Sequence, residues 1–228
     1  MLGPMSDPHS QSDKHSDSLP RRRFGSLPGV PLSFWTIIIL CVAVFAYGLT
    51  SPENDRWLLL HGALWPQLFH HSLLPVFEAQ PYTMFLTYGF LHGGPLHLAM
   101  NMFALYALAR SLAAAVPGLV MIAIYFVSQL VAGWVQLLMS DSELPVVGAS
   151  GAIFGLAGAE LAIAAVLILR KRGNLRPLAG PFLQFVILNV ALTLAVPNIA
   201  WQAHVGGAIA GVVLGVLWAV LRMPHRPI

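Results

Sequence analysis

The chain has 228 residues, 57% of them hydrophobic and 9% charged, and a mean hydropathy of +0.73. That is too little charge to solvate a soluble domain, so it is an integral membrane protein. The net charge of +3 does not point to nucleic acid, because the basic residues are spread over segment ends and form no binding face. The one cysteine, Cys41, lies in an apolar run, which excludes an intrachain disulfide and argues against a cysteine-based metal site.

Residues 1–30 are rich in Ser, Pro, Asp and His and include Arg21-Arg22-Arg23. They predict a disordered cytoplasmic tail ending in a basic anchor, not a cleavable signal peptide. Residues 31–222 form the expected membrane domain, and 223–228 a short cytoplasmic C-terminal tail. The first apolar run, Leu32 to Thr50, is long enough to span a bilayer. Between Ser51 and Thr87, Pro66 and Pro75 divide the chain into pieces too short to cross. The tryptophans and the pair His70-His71 there suit the lipid–water boundary, so the region reads as an interfacial loop. Further spans are predicted at 95–113, 119–139, 149–169, 178–196 and 203–221, giving an all-α bundle of six transmembrane helices.

Six spans put both termini on one side, and charge says which. With the termini inside, Arg56 is the one exterior residue among the 12 Lys and Arg, while Glu53, Asp55, Glu78, Asp141 and Glu143 lie outside. The outer ends of spans two, four and six are then their N-terminal ends, where His97, Ser150 and His204 stand. At about 1.5 Å per residue all three lie within the first two turns below the outer surface.

Packing explains how they would meet. Gly151, Gly155 and Ala159 on span four, and Gly207, Gly211 and Gly215 on span six, each repeat at i, i+4, i+8 and line one small-residue face. GxxxG spacing is common in membrane helices, and a lone membrane serine is usually a packing residue bonded to a carbonyl one turn earlier. Here two such faces accompany a serine and a histidine at one depth.

Serine needs a base, and neutral imidazole suits that role, so Ser150 and His204 are the candidate nucleophile and general base. Span six holds no acid, and Glu160 lies ten residues below Ser150, so a Ser-His dyad is expected in place of a triad. Phe154, one turn beyond Ser150, is suited to packing on the imidazole or to being an ordinary core aromatic. His97 and Asn101 share a helix face and, with the Ser150 backbone N–H, suit an oxyanion site, although Asn101 also fits simple interhelical bonding. His92, beside Gly93-Gly94, reads as a loop-bracing residue, and Glu160 as a partnered structural acid more than a proton relay.

Three motifs, His97-x-x-x-Asn101, Gly148-Ala149-Ser150-Gly151 and Ala203-His204-x-x-Gly207-x-x-x-Gly211, resemble those of the rhomboid family of intramembrane serine proteases, over about residues 32–221. The resemblance implies Ser150 as nucleophile, His204 as base, and His97, Asn101 and the backbone at Ser150 as the oxyanion site. It also implies an aromatic at the position of Phe154 packed on the catalytic histidine. One departure is that Thr83-Met84 stands where the family commonly carries Trp-Arg in the first external loop. The absence of an extra soluble domain resembles the compact bacterial forms and implies a bacterial inner membrane.

The expected function is hydrolysis of a peptide bond in or beside a transmembrane helix of a single-span substrate, near the outer leaflet, with no cofactor and no nucleic-acid partner. The loop Pro197 to Gln202, with Trp201, is a candidate lid and span five a candidate lateral gate, both on the family resemblance. Rival readings are a metal or haem protein built on His92, His97 and His204, a catalytically silent rhomboid-like membrane-protein binder, and a transporter, for which only Glu160 fits.

Overall fold

A computed structural model describes residues 29–70, 72–140, 142–195 and 200–222. Residues 1–28 of the expected tail at 1–30, the tail at 223–228, His71, Asp141, and Pro197, Asn198 and Ile199 of the candidate lid lie outside the described residues. Six longer helices fall where spans are predicted: α1 (Leu32–Gly48), α5 (Pro95–Leu112), α6 (Gly118–Met139), α7 (Ser150–Arg170), α8 (Arg176–Ala195) and α9 (Trp201–Arg222). Between α1 and α5 come the short helices α2 (Pro52–Gly62), α3 (Pro66–Phe69) and α4 (Gln80–Thr87), then a 3-10 turn at Tyr88–Phe90.

The chain is an all-α polytopic membrane protein, and its exposed surface says why. Leu119 (83% exposed), Phe103 (75%) and Leu221 (74%) point outward, which only a hydrocarbon surrounding makes favourable. Among the described residues three helices are both long and apolar enough to cross a bilayer: Gly118–Met139, Ser150–Arg170 and Trp201–Leu221. Helix α1 is apolar but 17 residues long. In α5, His97, Asn101 and Arg110 dilute the apolar run.

Helix α7 is the axis of the bundle. Ten of its 21 residues are buried, most of them Gly, Ala, Ile or Leu. Ala152, Ile153, Leu156, Ala159 and Ile163 belong to one core cluster with Phe34, Ile37 and Cys41 of α1, Leu105 and Ala109 of α5, Met121, Ile124 and Tyr125 of α6, and Ala219 of α9. The seam with α9 is the tightest. A Cβ on Gly207 would collide with the carbonyl of Gly151, one on Gly211 with that of Gly155, and one on Gly215 would stand 2.7 Å from that of Ala159. The two small-residue faces therefore mesh in register, backbone against backbone. Helix α6 closes the other side, where Gly155 leaves room for the side chain of Ser128 and Gly206 for Val135.

The segment between α1 and α5 is built more firmly than an unstructured connection. Ser51 caps α2 by accepting the Asn54 N–H (3.2 Å), with Pro52, Glu53 and Asp55 in its first turn. Pro66 opens α3 at a position where its missing N–H costs nothing, so this proline starts a helix as well as ending a segment. Gln80 is buried and uses both ends of its amide, accepting the Val76 N–H (2.7 Å) and donating to the Leu60 carbonyl (2.6 Å). Met84, half of the pair that replaces Trp-Arg, is fully buried with Leu64, Leu68, Phe85, Tyr88 and Leu137. The loop is thus held by an apolar cluster. A two-way backbone bridge between Leu64 and Val146 (2.9 Å each way) ties it to the segment entering α7.

Candidate active site

Three local structures bring the polar residues together. Ser150 is the first residue of α7, so its own N–H and the next ones have no partner within the helix. The turn before it is shaped by Gly148, whose φ of +126° is a conformation L side chains rarely adopt, and by its N–H donating to the Tyr88 carbonyl (2.8 Å). Tyr88 is itself anchored, donating its hydroxyl to the Gln129 carbonyl (2.8 Å). His204 is the fourth residue of α9, whose first turn is supported by the Ala203 N–H donating to Gln136 Oε1 (3.3 Å) on α6.

Across the glycine seam, Ser150 Oγ lies 2.8 Å from Nε2 of His204. The partner of this hydroxyl is therefore the imidazole across the seam and not a carbonyl one turn back along its own helix. The imidazole is 2% exposed. One face of it lies on Phe154, with ring centroids 4.4 Å apart and planes 9° from parallel. Of the two readings open for Phe154, stacking on the histidine is the one the geometry has, and that leaves the ring little freedom to turn.

His97 reaches the same turn. A Cβ placed on Gly148 would stand 2.9 Å from both Cε1 and Nε2 of His97, and 3.8 Å from Ser150 Oγ, so the imidazole edge fills the space that glycine leaves open. Asn101 stands one turn further along α5, is buried, and donates one amide N–H to the His97 carbonyl (2.9 Å). Its direct bond is therefore within its own helix, where it steadies the turn that carries His97. His92 packs edge-on against His97 (centroids 5.1 Å, 64°), as a bracing residue would. Burial first, and the neighbouring His97 second, push the His92 imidazole down to about 4.

Other residues fall outside this group. Glu160 accepts a hydrogen bond from Ser111 of α5, which makes it a partnered acid. Among the described residues no three His, Cys, Asp or Glu side chains are grouped to hold a metal, so His92, His97 and His204 do not form such a set.

One participant was absent from the sequence reading. Asn189 of α8 places Oδ1 3.0 Å from Nδ1 of His204, on the edge of the ring away from Ser150. The signal was present in the chain: a single amide inside the apolar run Phe185-Val186-Ile187-Leu188-Asn189-Val190, where a polar side chain has to find a partner.

A family model described as Rhomboid domain matches residues 79–220. The chain is 29% identical over 210 residues to human Rhomboid-related protein 3, covering 82% of this chain and 48% of that one. It is also 29% identical over 229 aligned positions to Rhomboid protease AarA of Providencia stuartii (88% of this chain, 76% of that one). With Rhomboid protease GluP of Bacillus subtilis it shares 32% identity over 121 residues (53% and 23%). The chain thus spans about half the length of its human relative.

Proposed function

The chain belongs to the rhomboid family, and from that premise we propose that it is an intramembrane serine endopeptidase, cutting single-span membrane proteins in or beside their transmembrane helices. The observation that carries the reading is the Ser150 Oγ to His204 Nε2 contact of 2.8 Å, held beneath the stacked ring of Phe154. The two relatives named as rhomboid proteases support it.

The chemistry follows from the atoms. His204 Nε2 takes the hydroxyl proton as Ser150 Oγ attacks the scissile carbonyl. The carbonyl oxygen becomes an oxyanion facing the unpartnered N–H groups at the start of α7 and the His97 edge, donors that stabilise it without burying a cation in lipid. The imidazolium returns its proton to the leaving amine, and water entering from outside then hydrolyses the acyl-enzyme by the same base. Asn101 contributes by holding His97, through its bond to the His97 carbonyl. Helical substrates hide their carbonyls in intrahelical bonds, so segments with Gly, Pro or small residues are the preferred ones.

In this reading residues 31–222 form six spans between cytoplasmic tails at 1–30 and 223–228, in a bacterial inner membrane. The distribution of Lys and Arg supports that orientation. Helix α8 serves as the lateral gate, and Trp201 and Gln202 belong to the lid.

The test is to incubate the purified chain in liposomes with single-span membrane proteins and map the products by mass spectrometry. A discrete cut at the outer-leaflet end of a substrate helix, unaffected by chelators, is expected. No cut in any substrate, or cuts abolished by chelation and restored by metal, would contradict the proposal.

A further inference from the structure

We propose that Asn189 is a positioning residue of this active site: its Oδ1 accepts the Nδ1–H of His204 and so selects the imidazole tautomer whose Nε2 can take the Ser150 proton. The inference rests on the serine-protease reading and adds to it a third member, carried by the helix that otherwise looks like a lipid-facing wall.

A neutral imidazole has one N–H and one lone pair, and their placement decides whether it is a base at all. His204 has one polar neighbour at each nitrogen: Ser150 Oγ at 2.8 Å from Nε2 and Asn189 Oδ1 at 3.0 Å from Nδ1. An amide oxygen only accepts. With the proton on Nδ1, both contacts are satisfied: Nδ1–H donates to Asn189, and the Nε2 lone pair receives the serine O–H. With the proton on Nε2, the Nδ1 lone pair would face the Asn189 oxygen, and Nε2 would have no lone pair for the serine. The ring is 2% exposed, so water has little room to compensate for the mismatch.

The same contact serves the next step. Once Nε2 carries the serine proton, the ring is a cation with two N–H groups, and the Asn189 oxygen goes on accepting from Nδ1. The dipole of a neutral amide steadies that cation where a carboxylate would place a standing charge in the membrane. Soluble cysteine proteases use an asparagine behind their histidine on the same logic.

Two residues link α8 to the histidine, and they stand one turn apart. Phe185 packs on Phe154 (centroids 5.0 Å, 54°), which in turn stacks on His204, and Asn189 meets the ring edge directly. Around them Phe182, Leu183, Val186, Ile187 and Val190 are exposed as a lipid-facing surface. An amide amid those residues is costly unless its polar atoms are partnered, and its oxygen is partnered by the imidazole.

The test compares Asn189→Leu, which keeps the shape and removes the acceptor, with Asn189→Asp, which keeps the acceptor and adds charge. Both are assayed as full-length protein on a cleavable single-span substrate and by the rate at which a fluorophosphonate labels Ser150. Asn189→Leu is expected to lower kcat and labelling together by roughly 10–100-fold, with KM within about twofold of wild type. Asn189→Asp is expected to recover most of that loss. It should also move the acid limb of the kcat/KM profile to higher pH, because a carboxylate beside Nδ1–H favours the protonated ring.

Wild-type kcat and labelling in Asn189→Leu, or a loss confined to KM, would overturn the inference and leave the protease reading standing. Should Asn189→Leu fail to fold, Asn189→Asp decides alone: an unshifted acid limb, or a loss of activity in a folded protein, contradicts the assignment. Wild-type protein that neither cleaves nor labels at Ser150 would overturn the protease reading, and this inference with it.

Discussion

The α7–α9 seam and helix α8 are built on opposite principles, although both reach His204. Along the seam, backbone lies on backbone over three successive turns, with carbonyls filling the places of absent side chains at Gly207, Gly211 and Gly215. Helix α8 has Pro181 inside it and a largely exposed apolar surface, and it meets the site through Phe185 and Asn189. The seam fixes the distance between Ser150 and His204 and cannot change it without breaking. Among the described residues α8 reaches His204 through two separable contacts, which suits an element that can move relative to the seam.

Breaking the seam should have the largest effect. Gly207→Leu has no place for its side chain except the carbonyl of Gly151, so it is expected to abolish cleavage and lower stability by several kcal/mol. The measurements are thermal unfolding in detergent and substrate turnover, and a fully active, equally stable variant would refute the rigid-seam description.

Next in size is the support behind His97. Asn101→Ala removes the bond to the His97 carbonyl, and cleavage is expected to fall by at most the roughly 10²–10³-fold typical of losing an oxyanion-site donor. A loss as complete as that of Ser150→Ala would give Asn101 a larger part than its local hydrogen bond suggests.

A smaller effect separates the loop from both. His92 is held neutral when folded, its imidazole pushed down to about 4 from 6.5 by burial and by His97, whereas the unfolded chain binds the proton near 6.5. Stability is therefore full above about pH 6.5 and declines as pH falls toward 4, by at most about 3 kcal/mol, with no further loss from this group below that. Comparing unfolding of wild type and His92→Phe between pH 7 and pH 4 checks this, and an equally steep decline in the variant would exclude His92 as its source. The smallest effect is expected on the outer side of α8, where Ile187→Ala should change stability in detergent by no more than about 0.5 kcal/mol. A larger change would mean that α8 is packed as firmly as the seam.

The seam was readable because it is written as a repeat. Glycine at i, i+4 and i+8 on two segments, each opening with a chemically active residue, needs no knowledge of the fold to be noticed. Asn189 was not, because its meaning depends on α8 bringing an asparagine fifteen residues upstream of His204 to the far edge of its ring. Spacing along the chain carries no trace of that approach. Phe154 lay between these cases: its position one turn after Ser150 permitted stacking or plain core packing, and only the 4.4 Å parallel approach to His204 separates them. Between Ser51 and Thr87 the prolines look, from the sequence, like interruptions. Pro66 instead opens a helix, because a proline at the first helical position removes an N–H that has no partner there.

If Ser150 is made a nucleophile by the seam that places His204 against it, a fluorophosphonate will report that reactivity. Purified protein treated with a fluorophosphonate and digested should carry the adduct on Ser150 and on no other serine, and His204→Ala, still folded, should carry almost none. Labelling spread over several serines, or labelling of Ser150 that survives His204→Ala undiminished, would contradict the account.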